Sequence, residues 1–146
     1  MRIDTPQALA ALELRMVDII ANLHFLNMVL VLATGAVSAI WGFILFFMKR
    51  PMNRPWRIML IITGIDTAIQ ALLGITLVLL GQKPGAPGDS LYYLHYVYGA
   101  IVVLAIPVAV TYATGGKEKR RDVLIFSIAA LILVAAAIRA LMTGPA

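Results

Sequence analysis

The sequence predicts an all-α integral membrane protein, a bundle of four spanning helices, and three observations carry that expectation. Hydrophobic residues fill 62% of the 146 positions against 13% charged, and mean hydropathy is +0.93, well outside the soluble globular range. Four apolar runs reach the roughly 20 helical residues that a hydrocarbon core demands. Eight of the twelve lysines and arginines lie in two short connections between those runs. Despite a net charge of +5, that placement is an orientation signal for membrane insertion and not a nucleic-acid stripe.

The chain divides into residues 1–22, an N-terminal amphipathic interfacial segment, and 23–146, the four-span bundle. Thr5-Pro6 reads as an N-cap followed by proline at the first helical position. Leu9, Leu12, Met16, Ile19 and Leu23 follow at helical spacing, with Glu13, Arg15 and Asp18 on other faces. Run straight into the first span, this helix covers about 43 residues, or roughly 64 Å at 1.5 Å per residue. A helix bent along the outer surface, or docked on a partner, is the more economical expectation. At the N-terminus, residues 1–6, no basic stretch leads directly into an apolar one, so no cleaved signal peptide is expected and the first span serves as its own signal.

The spans are placed at about 23–48, 57–80, 91–113 and 123–142. Gly35, Ala39 and Gly42 mark a close-packing face on the first, and Gly64, Ala68 and Ala71 mark one on the second. Pro107 is expected to kink the third. Trp41 is expected to pack within a span, and Trp56 to anchor near the cytoplasmic interface. Residues 49–57 carry four positive charges and no acid, residues 115–122 carry four positives and two acids, and residues 81–90 are nearly neutral. By the positive-inside rule the first and third connections are cytoplasmic. Both termini and the second connection are then extracytoplasmic, across a cell inner or plasma membrane.

Shifted by 71 residues, Leu23-His24-Phe25 falls on Leu94-His95-Tyr96. With a shorter loop taken up, Arg57 falls near Arg121 and Leu80-Gly81 near Thr143-Gly144. Each half reads histidine, span, basic loop, returning span, glycine stop. Repeats of like topology are related by a pseudo-twofold axis along the membrane normal. Any two hairpins obeying the positive-inside rule share this outline, however.

The absence of cysteine removes disulfides, thiolate zinc, iron–sulfur clusters, covalent haem attachment and cysteine nucleophiles. No nucleotide loop, nucleophile triad or carboxylate dyad is present, and Gly115-Gly116-Lys117 lacks the first half of a phosphate loop. What remains is His24 and His95, the two histidines of the chain, expected near one face of the bilayer at similar depth. Two neutral imidazoles there are the metal-ligand set for one bis-histidine haem b. The plainer alternative is a pair of interfacial histidines bonded to backbone or water. Asn22, Asn27 or main-chain carbonyls are expected to accept the remaining ring N–H groups.

Gly99, one turn below His95, leaves room for a flat ring. Tyr96 or Tyr98 lines a cofactor pocket, or joins Tyr92 and Tyr93 in an aromatic belt. Arg139 stands about 25 Å from the cytoplasmic end by helical rise, at the level of the histidines. There it pairs with a haem propionate, pairs with Asp18 or Asp89, or snorkels to headgroups. Asp66 lies near mid-membrane, where an ionised carboxylate is expensive. It is a candidate proton or ion site, or a register-fixing contact to a hydroxyl such as Thr63, Thr67 or Ser127.

On His24, His95 and the topology, the chain resembles the membrane b-type cytochromes as a broad class, four-helix units with axial histidines on different helices. It departs from their common dihaem pattern, which needs four histidines, so at most one bis-histidine haem fits. The resemblance implies electron transfer with a quinol or an extracytoplasmic carrier, by an electron-transfer protein or complex subunit and not a stand-alone enzyme. Homo-oligomers and larger membrane complexes are both compatible with it. Two other readings compete. One is a non-catalytic structural subunit of a respiratory or photosynthetic membrane complex, which the exposed amphipathic N-terminus favours. The other is a small transporter using Asp66.

Overall fold

The computed structural model describes residues 6–85 and 91–144, so Thr5 and Asp89 lie outside the described residues. Four helices follow in order, α1 (Pro6–Phe47), α2 (Arg54–Leu79), α3 (Tyr93–Tyr112) and α4 (Lys119–Met142), and their order is that of the four predicted spans. Each is long and apolar enough to cross a membrane. Large apolar side chains such as Ile61, Leu72, Leu104 and Leu131 stand half or more exposed on the outer faces. In water such a surface drives association, whereas lipid covers it at no cost. The chain is an integral membrane protein.

Short connections make sequential helices antiparallel neighbours. α1 packs against α2 and α4, α3 packs against α4, and α2 meets α3 only sparingly. α1 and α3 are therefore diagonal, and the α2–α3 seam is the loosest in the bundle.

Local chemistry sets the helix ends. α1 stops where Arg50 N–H bonds Leu45 C=O at 2.9 Å and Lys49 N–H bonds Phe46 C=O at 3.1 Å. This is a Schellman closure with Lys49 at φ 55° and Pro51 beyond it. α2 closes in the same way on Gly81, whose φ of 78° suits a residue without Cβ. Its start lies three residues ahead of the expected position, because Asn53 caps it by accepting from Trp56 N–H at 3.0 Å. α3 runs through Pro107 as one helix.

The turn between α3 and α4 is held by one carboxylate. Asp122 accepts from Thr114 N–H at 2.7 Å, Thr114 Oγ1 at 2.9 Å and Gly116 N–H at 2.8 Å, and Thr114 Oγ1 accepts in turn from Glu118 N–H. Asp122→Ala removes three hydrogen bonds to a charged acceptor from a turn whose Gly116 is exposed and Thr114 half-buried, so water takes over part of the pairing and the expected loss is about 1–2 kcal/mol. Unfolding of the detergent-solubilised variant against wild type measures it. Asp122→Asn is expected to lose less, since its amide oxygen still serves Thr114.

Small residues decide how close α1 and α4 come. A Cβ on Gly35 would stand 3.0 Å from Leu133 and Val134, and one on Gly42 would collide with Ser127 and Trp56. The corresponding expectation for α2 is corrected. Nothing lies within 4 Å of a Cβ built on Gly64, and Ala68 is exposed. α2 instead buries Trp56, Leu60, Thr63, Thr67 and Gln70, because its polar side chains find hydrogen-bond partners inside the bundle that lipid cannot offer.

Trp56 is a second correction. It is no interface anchor, being fully buried with its indole N–H donated to Ser38 C=O at 2.8 Å. Leu45, Leu60 and Val123 pack around it at the end bearing the basic connections. Above this layer Ser38 and Thr63 share a hydroxyl bond of 3.0 Å, and a second apolar layer of Met28, Val31, Val102 and Leu133 leads toward the histidines.

Among the described residues α1 is unbroken from Pro6 to Phe47, and the stretch expected as an interfacial segment is continuous with the first span. Residues 7–16 are all exposed, and the first half-buried residues are Val17 and Ile20. The helix thus projects beyond the bundle at its histidine end.

Candidate functional site

His24 enters from α1 and His95 from the first turn of α3, so the diagonal helices bring the two rings together. Their centroids are 6.3 Å apart with the planes inclined at 50°. Each is half-buried, and each rests on a glycine, Gly74 within α2 for His24 and Gly144 just past the end of α4 for His95. A Cβ on Gly74 would stand 3.2 Å from the His24 ring, and one on Gly144 would stand 3.5 Å from the His95 ring.

Their polar partners differ. His95 Nδ1 lies 2.9 Å from Ala140 C=O. A carbonyl only accepts, so Nδ1 carries the proton and Nε2 presents its lone pair. His24 is held by a relay. Asn27 donates its amide to Asp66 C=O at 2.9 Å and to Gln70 Oε1 at 2.9 Å. The Asp66 carbonyl fixes which end of Asn27 is nitrogen, and that in turn fixes Gln70. Gln70 Nε2 then faces His24 Nε2 at 3.3 Å, so the neutral ring accepts there and carries its proton on Nδ1. That Nδ1 is buried and has no hydrogen-bond partner among the described residues. A buried polar atom left unpaired is costly, and in native proteins it calls for an explanation.

The separation of the two ring centres is the one that a metal-centred group between them would require. With metal–nitrogen distances of about 2.0 Å and roughly 1.1 Å from nitrogen to ring centre, two imidazoles flanking one ion have centres a little over 6 Å apart. The Ala140 carbonyl supplies the anchor that ligating histidines use to fix ring orientation. One adjustment is needed, because Gln70 must turn away for His24 Nε2 to ligate. Among the described residues no group of three or more His, Asp or Glu converges on a metal position. Two imidazoles alone suit an axial pair better than a four-ligand structural site.

The other candidates are placed as follows. Gly99 lies one turn below His95, with nothing within 4 Å of a Cβ built on it. Tyr96 stacks edge-on against His95 at 6.2 Å and against Tyr92 at 6.2 Å. Arg139 precedes the residue that anchors His95, so it stands at histidine level, with its guanidinium 5.7 Å from the Tyr98 ring. Among the described residues it makes no ion pair with Asp18, and Asp89 lies outside them. Asn27 acts through Gln70 and does not touch a histidine.

Asp66 is half-buried, with its carboxyl 3.1 Å from Thr34 Oγ1, a hydroxyl that also lies 2.9 Å from Leu30 C=O and shares its one proton between the two acceptors. This corrects the expected hydroxyl partners. Thr63, Thr67 and Ser127 donate instead to the carbonyls of Met59, Gly64 and Val123 in their own helices.

Gln70, Gly74 and Ala140 escaped the sequence reading, and Gly144 entered it only as a helix stop. Gln70 alone carried a signal, as an uncharged polar residue deep in an apolar run, overlooked in a search for ionisable groups. Ala140 acts through its main chain, which no side-chain pattern reveals. No protein-family model matches the chain, and neither a curated protein nor a solved structure does.

Proposed function

We propose that this protein is a membrane electron carrier holding one b-type haem between His24 and His95 near the extracytoplasmic face. The 6.3 Å approach of the two rings is the observation that carries the reading. A bis-imidazole haem supplies a one-electron couple when bound. The chain's own parts have separable tasks. Ala140 C=O orients His95, and the Asn27–Gln70 pair sets the proton position on His24. Gly99, together with the loose α2–α3 seam, leaves space below His95. Arg139 offers a planar cation at the same level for a propionate.

The positive-inside rule supports the orientation, with the basic connections cytoplasmic and both termini outside. A like topology of the two hairpins is supported by each histidine meeting the segment that returns beside it, His24 with Gln70 and His95 with Ala140. The glycines they rest on, Gly74 and Gly144, are not the pair that the aligned repeat equates, which is Gly81 and Gly144.

A reduced-minus-oxidised spectrum of protein purified from haem-replete cells tests the proposal, with sharp Soret and alpha bands expected. Asp66→Asn should leave them unchanged. The Asp66 carboxyl bonds at the level of Thr34, ten residues and so about 15 Å along α1 from His24. Cofactor-free protein would favour the second reading, a non-catalytic subunit of a larger membrane complex. The projecting, exposed start of α1 speaks for that one.

A further inference from the structure

α1 carries an apolar stripe that its own bundle leaves open. Leu9, Leu12, Met16, Ile19 and Leu23 are spaced alternately by three and four. That alternation continues unbroken to Phe47, twelve positions in all and every one apolar. The large side chains among them are 44–74% exposed, and Ala33 is exposed as well. On the opposite side of the helix Met28, Val31, Ser38 and Leu45 are at most 6% exposed. α1 therefore has two faces, one used by the bundle and one unused.

Lipid does not account for the unused face. It accepts apolar side chains at any spacing, whereas a strict seven-residue repeat is the seam of a left-handed coiled coil. Lipid also falls short of it. Counting back about 20 residues of hydrocarbon span from Phe47 leaves the stripe from Leu9 to Leu23 beyond the core. Along that stretch residues 7–16 are exposed throughout.

We infer that a second copy of this chain covers the stripe, forming a parallel twofold dimer through an α1–α1 coiled coil. Copies inserted in one membrane share an orientation, so the stripe meets itself in parallel, with Leu9-type positions facing their equivalents and Leu12-type positions facing theirs. No charge lies on the seam. Glu13 and Arg15 flank it, and in parallel register they oppose Ala8 and Ile20 of the other copy, so like charges do not meet. Further along, the flank on the bundle side is already engaged, with Asn27 and Thr34 bonded to α2. That leaves a narrow seam of the kind two helices share. The 42-residue helix is about 63 Å long, and a strip roughly 10 Å wide along it covers on the order of 600 Å². Stable interfaces bury about 600–1,000 Å² per partner, so the strip reaches the lower end of that range.

The chain has no cysteine, so single introduced cysteines report without background. Full-length Leu12→Cys and Ile19→Cys variants, oxidised in native membranes, should form disulfide-linked species of twice 15.8 kDa. Leu14→Cys, more accessible at 67% exposure than Leu12 or Ile19 but off the stripe, should do so several-fold less. Wild-type protein in nanodiscs should count as two copies, and the Leu12→Glu, Ile19→Glu double variant, altered outside the hydrocarbon, as one. Equal cross-linking on and off the stripe overturns the inference, as does none at all, the result if α1 bends onto the membrane surface. An adduct with a protein of different mass, or a wild-type count other than two, overturns it equally.

Discussion

The His24→Ala, His95→Ala double variant is expected to purify folded and without haem. Each single replacement should convert a low-spin six-coordinate spectrum to high-spin, or abolish binding. The histidines lie at the end of the bundle, away from the two apolar layers that hold the helices together, so their removal should leave the fold standing. Arg139→Leu should shift the midpoint potential or weaken retention without changing the spin state, because the guanidinium lies over Tyr98 and not against a ring nitrogen. Pyridine haemochrome content and optical spectra of the four variants check this. Normal haem content in the double variant would end the haem proposal.

The largest loss of stability is expected at Trp56. Its ring is fully buried and fills the space that Gly42 leaves open, so Trp56→Ala opens a cavity that backbone on both sides cannot close. Truncation of a buried tryptophan costs about 3–5 kcal/mol in soluble proteins. The lower half of that range is expected here, since helix association in lipid rests on packing and not on transfer from water. Trp56→Phe keeps most of the ring and loses the bond to Ser38 C=O, an expected cost of about 0.5–1.5 kcal/mol. Denaturant titration of the two variants in mixed micelles separates cavity from hydrogen bond. A Trp56→Ala protein as stable as wild type would show that the ring does not hold α1, α2 and α4 together.

Much of this protein was legible because lipid imposes simple demands. Four apolar runs longer than a hydrocarbon core can only be helices, since a backbone in lipid must satisfy its own hydrogen bonds. Short connections then make neighbours antiparallel, which sets which helix ends share a face. Along one chain that argument put His24 and His95 at a common level, and it put Arg139 at their level on α4.

What one dimension could not supply was azimuth. In an apolar helix every side can face lipid, so composition did not reveal that α2 turns Thr63, Thr67 and Gln70 inward and leaves Gly64 outside. Nor did it reveal that Trp56 points to the core, or that Asp66 reaches Thr34 across to α1. These directions follow from which hydrogen bonds and close approaches can be made together once the helices are packed. The sequence determined the number of spanning helices, the ends of α2, α3 and α4 within four residues, and the relative level of the polar groups, because level is arc length along a helix. The tertiary structure alone decided who meets whom at a given depth. It set the two imidazoles 6.3 Å apart, gave Ala140 C=O to one, and left Nδ1 of the other buried without a partner. Those outcomes depend on the rotation of each helix about its axis, which local sequence leaves free and packing fixes.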